Sequence, residues 1–167
     1  MSNTGYGRYF FAAVVVALLN TQTLAQADDS VTESNRQIIT EAFAKWSAGG
    51  STFFDDVLAH NVIWTIKGSS PTAGTYDGRD QFVREAVKPF VERLSAPLRP
   101  SVNHIWADGD AVIVYWDGVA TAIDGKPYSN SYVWIFTMKD GRASRVTAFL
   151  DLELYEDVIK RITPANL

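Results

Sequence analysis

No cysteine occurs among the 167 residues, which excludes disulfides, thiolate nucleophiles and cysteine-ligated zinc. Histidine is nearly as scarce. His60 and His104 are well separated and have no HExxH-like spacing, so a transition-metal centre has little to be built from and no metal ligand is assigned. Basic runs are missing too: fifteen Lys+Arg stand against nineteen Asp+Glu, a formal charge of −4, and the electrostatic footprint of a nucleic-acid binder is not there. No glycine-rich phosphate cradle is present, so no cofactor is implied. What the chain does have is 47% hydrophobic and 13% aromatic residues with 20% charge, the balance of one domain folded around a core. Its chemistry has to come from carboxylates, hydroxyls and aromatics.

The first 27 residues read as an address. Arg8 precedes an apolar run from Tyr9 to Leu19, about eleven residues against the roughly 20 a spanning helix needs. Ala25, Gln26 and Ala27 then supply a small-x-small cleavage pattern before the acidic Asp28 and Asp29. The expectation is a signal peptide over 1–27, cleaved after Ala27, no stable membrane anchor, and a single periplasmic or secreted domain over 28–167.

Within that domain, Ser30 and Glu33 have capping-box spacing, and Ile38, Ile39, Ala42, Phe43 and Trp46 recur at helical steps until Gly49 and Gly50. A short helix is predicted over 52–59 and a β-branched, aromatic strand over 62–66. The turn formers of 67–78 predict a long loop. Phe82, Val83, Ala86, Val87, Phe90, Val91 and Leu94 mark a second amphipathic helix, bent at Pro89. Strand-length runs at 101–106, 111–123, 128–138 and 143–150 are separated by Asp108-Gly109, Asp124-Gly125 and Asp140-Gly141, strong hairpin signals because both residue types tolerate positive φ. Leu154, Val158, Ile159 and Ile162 predict a closing helix. Helices first and a meander afterwards define an α+β domain. Residues 111–114 are apolar on both strand faces; a homodimer would cover the second one, and a core strand in a strongly curved sheet would look similar.

The order of these elements resembles the nuclear transport factor 2-like superfamily and, within it, the SnoaL-like (polyketide cyclase and ketosteroid isomerase-like) group. The phrases that carry the likeness are Gly74-Thr75-Tyr76-Asp77-Gly78-Arg79-Asp80, Asn130-Ser131-Tyr132-Val133-Trp134, Asp140-Gly141-Arg142 and Phe149-Leu150-Asp151. The resemblance implies a curved antiparallel sheet forming a cone, a cystatin-like α+β barrel, with N-terminal helices on its concave face around a cavity, often in a dimer. It also implies that an aspartate at the last strand end can act as an acid or base. Limonene epoxide hydrolases of the superfamily carry an arginine two residues before the first of two aspartates; Tyr115 stands there. Ketosteroid isomerases carry their base on the first strand, where this chain has Trp64 and Thr65.

Strand parity places Tyr128, Asn130, Tyr132, Trp134, Phe136 and Met138 on one face, suited either to core packing or to the walls of a pocket for a small hydrophobic molecule. Asn130, Tyr132 and Trp134 are the binding candidates there, with Trp64, Tyr76 and Tyr115 beside them. Asp151, among Phe149, Leu150 and Leu152, is either a desolvated general acid or base or the cap of the closing helix. Asp117 could pair with it, and His104, sharing parity with Val102 and Trp106, could transfer protons. The functional expectation is an exported protein that binds a small hydrophobic or cyclic ligand, with isomerase, cyclase or lyase chemistry through Asp151. The alternative is a non-catalytic periplasmic ligand-binding or assembly module.

Overall fold

The computed structural model describes residues 9–164. The first eight residues of the expected leader lie outside them. From Tyr9 the backbone runs in one helix, α1 (Tyr9–Ser47), so Ser30 lies within a helix and does not start one. No glycine or proline interrupts that span, and nothing local forces a break before Gly49. There the chain turns at φ +110°, with Gly50 N–H donating to Lys45 O at 2.9 Å and Gly49 N–H to Trp46 O at 3.0 Å, the paired bonds of a Schellman ending.

Next come α2 (Phe53–Val57), β1 (Leu58–Ile66) and β2 (Gly74–Asp77). Part of the expected loop is therefore a strand: Trp64 pairs with Tyr76 and Thr65 with Thr75. The helical stretch that follows is split into α3 (Arg79–Phe82), a π-helical turn (Val83–Val87) and α4 (Lys88–Val91). Pro89, which has no N–H to donate, sits just past the widened turn. Then come β3 (Leu94–Asp108), β4 (Ala111–Ala122), β5 (Pro127–Lys139), β6 (Arg142–Leu150) and α5 (Leu152–Arg161). The three Asp-Gly hairpins fall where expected, and at Asp140-Gly141 both residues have positive φ. Strand β3 starts seven residues earlier than its composition suggests, because its prolines lie on an edge where no ladder bond is lost.

The sheet order is β2-β1-β6-β5-β4-β3. All neighbours are antiparallel except β1 and β6. Register shifts in β1–β6, β3–β4 and β5–β6 bend the strands into the cone that the superfamily resemblance implies. The cone is not closed into a barrel, since β2 and β3 are both edges. Helix α1 covers the β3 edge. Ser47 Oγ donates to Pro100 O at 2.7 Å, Arg36 to Ile105 O at 2.9 Å and Asn35 to Gly109 O at 2.9 Å. These bonds occupy carbonyls that an open edge would offer to another chain.

The main core lies between α1, α2 and the concave face. Ile39, Phe43, Val57, Trp64, Trp116 and Phe136 are all but completely buried there. Every even position from Tyr128 to Met138 is buried, so the parity reading of β5 holds. A smaller cluster, with Phe90, Tyr128, Tyr155 and Val158, packs α4 and α5 against the other end of the sheet.

Candidate functional site

Between the concave face and the helices lies a cavity of about 470 Å³. Trp64, Trp116, Tyr132, Trp134 and Ala148 of the sheet form one wall, and Phe53 and Phe54 of α2 face them with Val83, Ala86 and Val87 of the π-helical turn. The exposed lining residues, including Gly49, Gly50, Asp55 and Pro97, mark its opening. The rings are ordered by mutual stacking. Trp116 lies on Tyr132 with centroids 3.9 Å apart at 6°, Trp64 lies on Phe82 at 4.0 Å and 14°, and Trp134 meets Trp64 edge-on at 5.0 Å. Gly118 makes the first stack possible. A Cβ there would come within 2.9 Å of both Trp116 and Leu98 and 3.0 Å of Tyr132.

Polar groups in this wall are few, and their bookkeeping is informative. The Tyr128 and Tyr132 hydroxyls lie 2.7 Å apart, and Asn130 Nδ2 donates to Tyr128 Oη at 2.8 Å and to Asp151 O at 2.8 Å. Asp151 N–H returns a bond to Asn130 Oδ1 at 3.1 Å. One hydrogen joins the two phenols, so one of their two protons has no acceptor. Tyr132 lines the cavity, and when Tyr128 donates to it the free proton belongs to Tyr132. Burial, with the neighbouring Tyr128, pushes the Tyr132 phenol well above its ordinary value, and burial pushes Tyr128 up to about 12, so both are neutral donors at physiological pH. The indole N–H groups of Trp64 and Trp116, also in the wall, are buried with no hydrogen-bond partner, a state that ordinary cores avoid.

The loop between β1 and β2 is held by α5. Glu156, only 4% exposed, accepts from Thr72 N–H at 3.0 Å and from Thr72 Oγ1 at 2.6 Å. Burial raises its pKa, but these bonds outweigh it and the carboxyl ends below its usual range. Thr72 is thereby fixed at the cavity wall. In the π-helical turn, Ala86 O accepts from the Tyr155 hydroxyl, which ties the cavity roof to α5.

Several expected site residues lie elsewhere. Asp151 is exposed and caps α5, its Oδ1 accepting from Glu153 N–H at 2.9 Å and Leu154 N–H at 3.4 Å. The capping geometry is present, and the side chain is not among those that line the cavity. Asp117 and Tyr115 do share a face, but it is the outer one, because the buried positions of β4 are Val112, Val114, Trp116 and Gly118. There Asp117 accepts from Asn103 at 2.7 Å and Ser131 at 2.6 Å, bonds that lower its pKa, and it makes no pair with Asp151. His104 is exposed on that face, its ring tilted against Trp106 at 4.2 Å; a bulge between Val102 and His104 breaks the parity that pointed it inward. Tyr76 is buried behind the wall, donating to Thr72 O at 2.7 Å. Asn130 orients the phenols without lining the cavity. Tyr132, Trp134 and Trp64 are brought together in it.

Sequence reading missed Trp46, Trp116 and Arg99, all lining residues. Arg99 could have been noticed as a lone cation between Pro97 and Pro100, a stretch to which no element was assigned.

Residues 39–146 match the family model of the SnoaL-like domain. No protein of curated function matches the chain. Among solved structures, an NTF2-like protein from Burkholderia thailandensis E264 superposes with a TM-score of 0.62 at 21% identity, covering 75% of this chain and 96% of its own. TerC, crystallised with polyporic acid, gives 0.61 at 22% identity over 76% and 98%. A protein assigned to the SnoaL-like polyketide cyclases of Jannaschia sp. CCS1 gives 0.62 at 17% identity over 80% and 96%. At these identities the likeness establishes the fold.

Proposed function

The chain belongs to the SnoaL-like domain family, and from that premise we propose that it binds a small, largely apolar ring compound carrying a carbonyl or similar acceptor. What supports this reading is the apolar cavity of about 470 Å³ walled by stacked aromatic rings, with the Tyr132 phenol in that wall, whose proton is open to a ligand in the arrangement where Tyr128 donates to it. Aromatic walls supply the apolar contact and a few fixed donors supply orientation. The co-crystallisation of the structural neighbour TerC with polyporic acid is in keeping with it. A neutral phenol facing a carbonyl also polarises it, as in the stabilisation of developing oxyanions. Acid/base turnover further requires a base, and the one carboxylate among the described lining residues is Asp55, exposed at the rim and 3.4 Å from Arg79. Ligand binding is therefore the function proposed, in a protein exported by removal of residues 1–27.

Tryptophan-fluorescence titration with α-tetralone and with tetralin, the same ring system without the carbonyl, tests this. Both are expected to quench, with α-tetralone the tighter. Tyr132→Phe should weaken α-tetralone by about three- to tenfold, the worth of one hydrogen bond, and leave tetralin unchanged. Affinity should also be flat from pH 6 to 9, because the raised phenol pKa keeps the donor protonated throughout. Failure of both compounds to bind would remove the proposal.

A further inference from the structure

Arg99 lines the opening of the cavity, half-buried. Its one hydrogen bond among the described residues is a 3.5 Å contact from Nη1 to Trp46 O at the end of α1, and Nη2 lies beside Gly49. Guanidinium presents five donors in a fixed fork, so four N–H groups have no partner among the described residues. None of the ion pairs among the described residues includes Arg99. Asp55, the carboxylate among the described lining residues, is engaged by Arg79 at 3.4 Å. A half-buried cation without a carboxylate, at the door of an apolar chamber in a chain of net charge −4, is unusual in its setting. The negative end of α1 accounts for its position but takes up one N–H of the fork. A guanidinium with further donors suits a planar two-oxygen anion.

We propose that Arg99 selects organic acids: ligands whose ring body fills the cavity and whose carboxylate remains at the opening in the Arg99 fork. This rests on the cavity being a ligand site and adds the charge of the ligand. A ligand of this kind loses little hydration at its charged end, because the rim is wet, while its rings leave water completely.

Isothermal titration of the full chain with 2-naphthoate and with 2-naphthamide, its neutral counterpart of equal size, separates charge from shape. The wild-type protein should bind the acid about tenfold more tightly, in line with a hydrogen-bonded charge, and added salt should erode that preference. Arg99→Gln should abolish the preference by weakening the acid alone; Arg99→Lys should restore part of it. Val87→Trp, which fills the chamber, should weaken both compounds. Equal affinities in the wild type, a parallel loss of both compounds in Arg99→Gln, or indifference of both to Val87→Trp would overturn the proposal while leaving the α-tetralone test to stand or fall separately. If neither naphthalene compound nor α-tetralone binds, the cavity reading itself fails.

Discussion

Asp151 shows how one carboxylate's role is decided by a few ångströms of backbone. Its Oδ1 accepts from two N–H groups of the first turn of α5, donors that otherwise have no intrahelical partner. Its backbone N–H and C=O are both held by Asn130, so the same residue links the helix start to the phenol pair. Asp151→Ala removes the cap and leaves the backbone tether. We expect a loss of about 1 kcal/mol, the usual value of such a cap, measured as a shift in urea midpoint at unchanged m-value. Affinity for α-tetralone should stay within twofold of wild type, whereas a pocket acid or base at this position would change it.

At the scale of elements, the cavity depends on where strands leave room. Gly118 faces inward on β4 opposite Asn130, and the space a side chain would occupy is taken by Trp116, Leu98 and Tyr132. Gly118→Ala therefore has to separate the Trp116–Tyr132 stack or displace Leu98. The expected cost is about 1 to 3 kcal/mol, typical of overpacking, together with a changed tryptophan emission and weaker α-tetralone binding, while the far-UV spectrum stays that of the folded sheet. The same region shows what could be read without coordinates. The alternation from Tyr128 to Met138 and the Asp-Gly turns are local signals, and β5 and its hairpins followed from them. Bulges are not local: the one before His104 turned an expected cavity residue outward, and the shifts near Arg99 lie in a proline-flanked stretch with no strand pattern. Asp151 was legible as a cap from its spacing to α5, yet its apolar neighbours Phe149, Leu150 and Leu152 suggested burial. Phe149 itself is exposed, which is why that enclosure does not exist.

For the whole molecule, the outer face of the sheet is the remaining unexplained apolar surface. Register aligns His104 with Tyr115, Tyr115 with Val133 and Val133 with Phe149, a continuous row across β3, β4, β5 and β6. Trp106, Tyr115 and Phe149 in and beside it are 49%, 38% and 44% exposed, and Trp106 packs against His104 with the rings tilted. Apolar residues aligned in this way form a patch, and patches of this kind on a soluble chain mark contact surfaces. Asp117 and Ser131 next to the row, bonded to each other, give it the polar margin that interfaces carry. We propose the same row on a second copy as its cover, because a two-fold axis through Tyr115 would set each row against its equal. Sedimentation equilibrium is expected to give the mass of two chains at micromolar concentration, and Tyr115→Lys combined with Phe149→Lys the mass of one. Both substitutions point away from the cavity, so the double variant should retain the affinity of the wild type for α-tetralone. A wild-type protein that stays monomeric up to about 100 µM, well above the micromolar range of weak specific association, would show that the face serves no self-association, and Trp106, Tyr115 and Phe149 would then have to be explained by a different partner.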